Sequence, residues 1–293
     1  MADMKMEKIK ELRARTNSAL IDVKKALEAT EYDIDKAIQW LKENGIVKAA
    51  KKAGRITAEG AVSAHGTDKE AVMVEINSET DFVAKNDKFL NLLNEVTKSV
   101  FESKANTLEE ALATKMNDNE TVEQALIQAT SVIGEKISLR RIQRVVAEED
   151  QVLGIYVHVN RQVAAVVTVK GNNVEAAKNV AMHVSAMNPE FTLVSDIPAE
   201  KLEEIKAGFE KPNGFDSKPE KIQQQITEGW LNKQLSEIVL AKQPVVVDDS
   251  VSVEKYLSNH NDELVSAVRF EVGEGIEKVQ SNFADEVAGM VVK

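Results

Sequence analysis

Apolar residues recur at helical spacing through the first 45 positions of the chain. The pattern predicts three short helices: one that ends near Arg15, one over residues 18–28 and one over residues 33–44. Asp33 fits the N-cap of the third helix, and Gly45 fits the residue that follows its C-terminus. A compact three-helix unit is therefore expected at the start of the chain.

The second of these helices has one apolar face. Leu20, Val23 and Leu27 fall on a common stripe and are expected to be buried. Ile21 lies about 100° from that stripe on a helical wheel. Its side chain is therefore either exposed or laid over the edge of the unit.

The central part of the chain contains two similar sets of elements. In each set, alternating apolar residues predict a β-hairpin, a helical pattern follows, and a third strand returns later. We expect two related α+β subdomains, each with a three-stranded antiparallel sheet. The predicted hairpin, helix and returning strand cover residues 61–77, 86–103 and 137–146 in the first set, and residues 152–170, 173–186 and 265–272 in the second.

An insertion interrupts the second set. Residues 202–209 and 222–238 carry apolar side chains at helical spacing, and Pro212 and Gly214 break the pattern between them. We expect an antiparallel helical hairpin that projects from the sheet. Beyond Gly275 the pattern predicts one more short helix at the C-terminus.

The corner after the strand that ends at Ile76 carries the most informative residues. Asp81 is placed at a helix start, where a carboxylate can accept free backbone N–H groups and complement the helix dipole. Phe82 follows at the edge of an apolar stripe. Periodicity alone leaves two interpretations of Phe82: a core side chain, or an exposed aromatic at the tip of a rigid element.

The sequence Thr80-Asp81-Phe82-Val83 closely resembles the Thr-Asp-Phe-Val signature of the elongation factor Ts family, the nucleotide-exchange factors of the translational GTPase elongation factor Tu. Residues 12–27 resemble the family's other signature, and residues 269–278 add a third match. The resemblance spans essentially the whole chain and fits the long form of the family. It implies that the Asp-Phe pair reaches the partner's nucleotide site and disturbs its magnesium and phosphate contacts.

The resemblance also implies contacts with elongation factor Tu elsewhere on the chain. Arg13, Leu20 and Ile21 would contact its GTPase domain, and His158, at the end of a predicted hairpin arm, would contact its C-terminal domain. Leu20 and Ile21 stand where relatives often carry two methionines, and the β-branched Ile makes this contact stiffer. The helical hairpin resembles the family's coiled-coil protrusion, which is linked to dimerisation and gives the chain a route to a homodimer.

Pattern and resemblance together give a fold class and a domain plan. The fold class is α+β, with an N-terminal three-helix domain similar to a ubiquitin-associated domain, a core of two related antiparallel-sheet-plus-helix subdomains, an inserted helical-hairpin coiled coil and a C-terminal helix. The expected boundaries are 1–55 for the helical domain and its linker, 56–146 for the first core subdomain, 147–198 with 244–278 for the second, 199–243 for the hairpin and 279–293 for the C-terminal module.

Composition limits the expected cellular location and partners of the protein. The 293 residues include no cysteine, which excludes disulfides and thiolate metal sites. No apolar run reaches the roughly 18 residues of a membrane span, and the N-terminus lacks the apolar region of a secretion signal. We expect a cytoplasmic protein without a membrane partner. The net charge of −11 disfavours nucleic acid as a direct partner.

One basic cluster stands out against this acidic balance, and it comprises Lys48, Lys51, Lys52 and Arg55. The cluster lies where the linker after the helical domain is expected. It is interpreted either as a solvated hinge or as a contact with an acidic protein surface.

Patterns typical of catalysis are missing from the sequence. The four histidines lack metal-ligand spacing, and His183, within an apolar helix, is expected to be a satisfied, partly buried residue. Residues 134–136 (Gly-Glu-Lys) are interpreted as a turn and not as a phosphate loop. We therefore expect no covalent chemistry and no cofactor. The resemblance favours nucleotide exchange on elongation factor Tu as the function. The alternative is a scaffold that recruits a polypeptide through the N-terminal helical domain.

Overall fold

The computed structural model describes residues 2–16, 18–117 and 120–277. Over these ranges the chain combines helices with antiparallel sheets, which confirms the predicted α+β class. The predicted C-terminal helix lies outside the described residues. Among the described helices, none has the combination of length and apolar character that crossing a bilayer requires.

Three helices form the N-terminal unit: α1 (Ala2–Thr16), α2 (Leu20–Ala29) and α3 (Ile34–Lys52). Asp33 caps α3 as predicted, because its carboxylate accepts the N–H of Lys36 at 3.0 Å. Trp40 packs, partly buried, against the core of this unit. The fully buried members of that core are Leu12, Val23, Ala26, Leu27 and Ala37.

Two predictions for this unit are wrong. Helix α3 does not end at Asn44 but continues through Gly45 for about two further turns. Gly45 is buried against Ser131 of a later helix, and this tertiary packing outweighs the low helix propensity of glycine. Leu20 is 42% exposed, because it is the first residue of α2 and extends beyond the core. Ile21 is 68% exposed, which resolves its two alternatives in favour of exposure.

The first core subdomain contains a three-stranded antiparallel sheet, as predicted. The strand order is β1-β2-β5, so the strand that returns after the helices pairs with the second arm of the hairpin. The elements are β1 (Glu59–Gly66), β2 (Glu70–Ser78), α4 (Asp81–Ala84), α5 (Asp87–Glu102), α6 (Leu108–Ala113), β3 (Lys115–Asn117), β4 (Glu120–Thr121), α7 (Val122–Ile133) and β5 (Ser138–Val146).

The second core subdomain repeats this arrangement with the sheet order β10-β7-β6. The returning strand again pairs with the second arm of the hairpin. The elements are β6 (Gln151–Val157), β7 (Val163–Lys170), α8 (Val174–Met187), α9 (Ala199–Ala207), α10 (Glu220–Ile238), β8 (Pro244–Val245), β9 (Asp248–Ser252), α11 (Val253–Asn259) and β10 (Glu263–Glu271).

The two sheets pack face to face, and helices cover their outer faces. Met73 and Leu153 belong to the core between the sheets, whereas Val72 and Val74 point the other way and pack with α5. This alternation follows from the two-residue period of a strand. Each fully buried aliphatic side chain contributes about 1.5–3 kcal/mol relative to an exposed one. The result is a four-layer sandwich of helices, sheet, sheet and helices.

A glycine sets the spacing between α8 and its sheet. A Cβ atom at Gly154 on β6 would lie only 2.1 Å from the backbone carbon of Ala177 on α8. The helix backbone therefore rests directly on the strand, a separation that a larger residue at position 154 would not permit.

A buried carboxylate connects the two subdomains. Glu75 on β2 has no solvent exposure and accepts hydrogen bonds from Arg140 (2.9 Å), Arg141 (2.6 Å) and the N–H of Gly273 (2.9 Å). Burial alone raises the pKa of Glu75, but these donors outweigh it and hold the pKa below its ordinary value. The Arg141 guanidinium also stacks on the ring of Phe270 on β10, 4.1 Å from its centroid. The cluster thus joins β2, β5 and the turn after β10.

The predicted helical hairpin is present as α9 and α10. Its outer part has a small aromatic core of its own, since Phe209 lies 5.5 Å from Phe215 and 5.3 Å from Trp230 between ring centroids. At the other end, Leu235 and Val239 are buried with α8 in the core of the second subdomain. The hairpin is therefore anchored by the end of α10.

Candidate functional site

The corner after β2 is a single helical turn with its own cap. Thr80 is the N-cap of α4, and its hydroxyl oxygen accepts the N–H of Val83 at 3.4 Å. Helix α4 ends at Ala84, and Asn86 then caps α5 by accepting the N–H of Lys88 at 2.9 Å. The helical pattern that begins at the corner is therefore divided into two helices, each with its own N-cap.

Phe82 points away from the protein. Its side chain is 83% exposed, whereas Ala84 is buried against the first subdomain and Val83 packs at the edge of the same core. The core interpretation of Phe82 is therefore wrong. The apolar stripe of α5 is complete without it, because Phe89, which is fully buried, begins that stripe.

Asp81 is the first residue of α4, next to Phe82. Its carboxylate is half-exposed and lies 2.7 Å from the ammonium group of Lys85. The hydrogen bond from Lys85 lowers the pKa of Asp81, and the free backbone N–H groups at the helix start lower it further. The corner thus presents an ionised carboxylate beside an exposed aromatic ring.

The turn that follows α7, residues 134–136, makes hydrogen bonds to the corner. Glu135 accepts hydrogen bonds from both the N–H (2.9 Å) and the hydroxyl (2.7 Å) of Thr80. The neighbouring residue Glu79 accepts the backbone N–H of Lys136 at 2.6 Å. Arg55 lies within 3.1 Å and 2.9 Å of the two carboxylate oxygens of Glu79. Together these hydrogen bonds and the Arg55–Glu79 ion pair fix the corner.

The basic cluster is not a solvated hinge. Lys48 and Lys52 lie in the last turns of α3, where Lys48 pairs with Asp22 at 2.7 Å and Lys52 donates to the carbonyl of Gly134. Arg55 pairs with Glu79 as described above. The hinge interpretation fails because α3 extends beyond Gly45 and carries these cations onto the rest of the chain.

The three predicted contact residues of the N-terminal region, Arg13, Leu20 and Ile21, are each exposed. Arg13 is exposed on α1, and Leu20 and Ile21 are exposed at the start of α2. The helical period places Lys24 and Lys25 on the same open face of α2. Helix α2 thus exposes two apolar side chains next to two lysines.

His158 is exposed directly after β6, and its ring nitrogen Nδ1 lies 2.7 Å from the side-chain oxygen of Asn160. In the same turn, Arg161 donates to the side chain of Asn94 on α5 at 3.0 Å. The structure therefore brings the turn that carries His158 against the helix that follows the Phe82 corner.

His183 behaves as a structural residue. It is fully buried on α8, its Nε2 lies 2.9 Å from the amide oxygen of Gln243, and its Nδ1 accepts the N–H of Val246 at 3.3 Å. Burial lowers the pKa of His183, so the ring is neutral. Within the described ranges, no group of three His, Asp or Glu side chains is placed to hold a metal ion.

Taken as a surface, the corner is a protruding aromatic on a braced turn, an arrangement typical of protein-binding sites. The family model described as Elongation factor TS matches residues 79–274, which include the whole corner. The chain is 64% identical over 290 residues to the elongation factor Ts of Mycoplasmopsis synoviae, with 99% of each chain covered.

Two further relatives extend the match. The chain is 50% identical over 292 residues to the elongation factor Ts of Mycoplasmopsis pulmonis, covering 100% of this chain and 99% of that one. It is 45% identical over 291 residues to the elongation factor Ts of Lacticaseibacillus casei, with 99% of each covered. The chain therefore belongs to the elongation factor Ts family of translation elongation factors.

Proposed function

We propose that the protein is a guanine-nucleotide exchange factor that binds elongation factor Tu and inserts the Phe82 corner at its nucleotide site. The observation that carries this proposal is the 83% exposure of Phe82 on a turn fixed by Thr80 and Glu135. A monomeric protein gains nothing in folding from a large aromatic held in water. A binding partner that covers the ring does gain from it.

The mechanism rests on linkage and needs no covalent step. A factor that binds the nucleotide-free GTPase more tightly than its GDP complex must weaken GDP binding by the same ratio. A ten-thousand-fold change in that ratio requires about 5.5 kcal/mol of differential binding. A broad interface supplies this free energy, and a small wedge applies it at the nucleotide.

The residues of the corner take different parts in this mechanism. Phe82 is the wedge, and Val83 and the Thr80 cap hold its backbone. Asp81 is ionised at neutral pH, and its lowered pKa keeps it ionised to more acid pH. A carboxylate brought close to a bound nucleotide repels the phosphates and competes for the magnesium ion that they hold.

The anchoring contacts lie away from the corner. Arg13, Leu20 and Ile21 present the apolar and cationic face of the N-terminal unit to the GTPase domain. His158 contacts a second domain of the partner from the turn that rests on α5. This division explains why the anchors and the wedge stand on separate elements. A partner that acts in translation fits a cytoplasmic protein, and the net charge of −11 disfavours a direct nucleic-acid contact.

The experiment follows release of a fluorescent GDP analogue from purified elongation factor Tu at substoichiometric amounts of the protein. Phe82→Ala should lower exchange efficiency about 30-fold, which corresponds to about 2 kcal/mol of lost interface free energy. The melting temperature should not change, because the side chain is exposed. Val247→Ala, an exposed apolar residue next to β8, is the matched control and should exchange as the wild type does.

Two results would count against the proposal. A wild-type protein that leaves the GDP release rate unchanged would favour the scaffold function. A Phe82→Ala variant with full exchange activity would remove Phe82 as the wedge, whatever the affinity of the complex.

A further inference from the structure

The turn at residues 134–136 makes hydrogen bonds both within its own subdomain and to the segment that follows α3. It follows α7, where Gly134 ends the helix in the left-handed conformation at φ 92°. Glu135 and Lys136 then turn back beneath the Phe82 corner. Their partners lie about 55 to 80 residues away along the chain, at Glu79, Thr80, Ala53 and Arg55.

Glu135 controls the cap of α4. A threonine hydroxyl has one proton to donate and lone pairs to accept with. Here the proton is donated to Glu135 at 2.7 Å, so the remaining lone pairs are directed at the N–H of Val83. The second oxygen of Glu135 takes the N–H of Thr80 at 2.9 Å. Two bonds from one carboxylate therefore set both the backbone and the side-chain rotamer of the cap residue.

Lys136 extends the same support to the end of the N-terminal unit. Its ammonium group donates to the carbonyls of Ala53 (2.7 Å) and Arg55 (3.0 Å). Lys52 donates in return to the carbonyl of Gly134. These hydrogen bonds connect the segment after α3 to the turn at residues 134–136. Arg55 adds a second connection, because it pairs with Glu79, which itself accepts the N–H of Lys136.

We propose that Glu135 is a positioning residue for nucleotide exchange: its carboxylate fixes Thr80, and through Thr80 it sets the direction in which Phe82 projects. The role rests on the proposed function of Phe82 as the wedge. Glu135 itself does not touch the partner in this mechanism. Its contribution is preorganisation, since a ring already held in its inserted orientation loses less conformational freedom on binding.

A double-mutant cycle tests this role with the full-length protein. Glu135→Ala should lower the maximal rate of GDP release about tenfold, because Thr80 loses both of its hydrogen bonds to Glu135 and Phe82 is no longer held in one orientation. The concentration for half-maximal exchange should change less, since the anchors are intact. Glu135→Gln should retain part of the rate, because its amide oxygen can still accept one of the two bonds.

The decisive measurement is the effect of Glu135→Ala in the Phe82→Ala background. If Glu135 acts through Phe82, the double variant should exchange within about twofold of Phe82→Ala alone, as expected for two residues that act as one unit. Independent effects would multiply to a loss of roughly 300-fold. That larger loss would overturn the positioning role.

Controls separate folding from positioning. Glu228→Ala, an exposed glutamate on α10, should leave exchange unchanged. Melting temperatures and circular dichroism of each variant establish the folded fraction. If Glu135→Ala loses activity only in proportion to unfolded protein, the positioning role is overturned.

The outcomes also distinguish this inference from the proposed function. If Phe82→Ala slows GDP release but Glu135→Ala does not, only the positioning role fails. If Phe82→Ala has no effect on release, the wedge itself fails, and the role of Glu135 fails with it.

Discussion

The carboxylate of Glu75 accepts a hydrogen bond from the backbone N–H of Gly273, which lies 198 residues further along the chain, at 2.9 Å. Gly273 adopts φ 72°, and a Cβ there would lie 2.3 Å from the carbonyl oxygen of Ala58. Three parts of the chain therefore meet at the buried carboxylate of Glu75: the residue before β1, strand β2 and the turn after β10. This cluster adds a polar connection between the two subdomains to the apolar core between their sheets.

Replacement of Glu75 should destabilise the whole sandwich. Glu75→Ala removes the shared partner of Arg140 and Arg141, and loss of one member of a buried ion pair costs about 3–5 kcal/mol. The lower end of that range is expected, because both arginines are partly exposed and can be hydrated. Urea denaturation would measure the loss. Glu263→Ala, an exposed glutamate on β10, should change the free energy of unfolding by less than about 0.5 kcal/mol.

Stability should fall on mild acidification because of His183. Its pKa is lowered in the folded protein from an ordinary value of 6.5, so below that pH the unfolded chain binds a proton that the folded chain refuses. The free energy of unfolding therefore decreases as the pH falls through 6.5, by at most about 1.4 kcal/mol per pH unit. Glu70 and Glu75, whose pKa values are lowered from 4.5, contribute only at more acid pH.

The His183 effect can be isolated by comparing two denaturation series between pH 7.5 and about 5. His183→Gln should unfold more easily at neutral pH but should show a flatter dependence on pH than the wild type. His260→Gln, at an exposed histidine after α11, is the control. Equal slopes for the wild type and His183→Gln would show that His183 is not the group that titrates.

Binding and stability should separate on helix α2. Ile21→Ala should weaken the complex with elongation factor Tu by about 1–2 kcal/mol while its exposed position leaves the free energy of unfolding unchanged. Leu27 lies on the buried face of the same helix, so Leu27→Ala should instead cost about 2–5 kcal/mol of folding stability. Ile46→Ala, at an exposed isoleucine on α3, controls for loss of surface apolar area. Calorimetric titration and thermal melting on the same samples would test both quantities.

The outer part of the helical hairpin should be dispensable for exchange. Replacement of residues 205–230 by a short Gly/Ser linker removes the aromatic cluster but retains Leu235 and Val239, which belong to the core of the second subdomain. The variant should fold and release GDP at the wild-type rate, and any self-association should weaken in sedimentation experiments. An unfolded product would show that the hairpin supports the sandwich.

Much of this architecture could be predicted because it is encoded locally. The two hairpins follow from strand periodicity, and Asp33 marks the start of α3 by a single capping bond. The end of α3 could not be predicted, because packing against Ser131 overrides the helix-stopping tendency of Gly45. Periodicity also does not determine the exposure of Phe82, since a residue at the edge of an apolar helical stripe can be either buried or exposed.

The bracing of the corner was beyond the reach of sequence patterns. Glu135 was assigned to a turn, which is correct, but its partner Thr80 lies 55 residues earlier. A contact at that separation has no periodicity. The same holds for Arg55, for which the sequence allows a solvated hinge or a contact with an acidic protein surface, and which pairs with Glu79 of the same chain. The residues that present the site were visible in the sequence, and the residues that hold it were not.

The two tryptophans divide the molecule in a way that spectroscopy can use. Trp40 packs in the N-terminal helical unit, and Trp230 makes an edge-to-face contact with Phe209 in the hairpin, so neither lies in the sandwich. Tryptophan fluorescence therefore reports on the two appendages, and replacing either residue by Phe leaves a probe of the other alone. Far-ultraviolet circular dichroism reports on the helices of the appendages and of the sandwich together. A fluorescence transition that precedes the dichroism transition therefore shows that the appendage carrying that tryptophan unfolds before the rest of the protein.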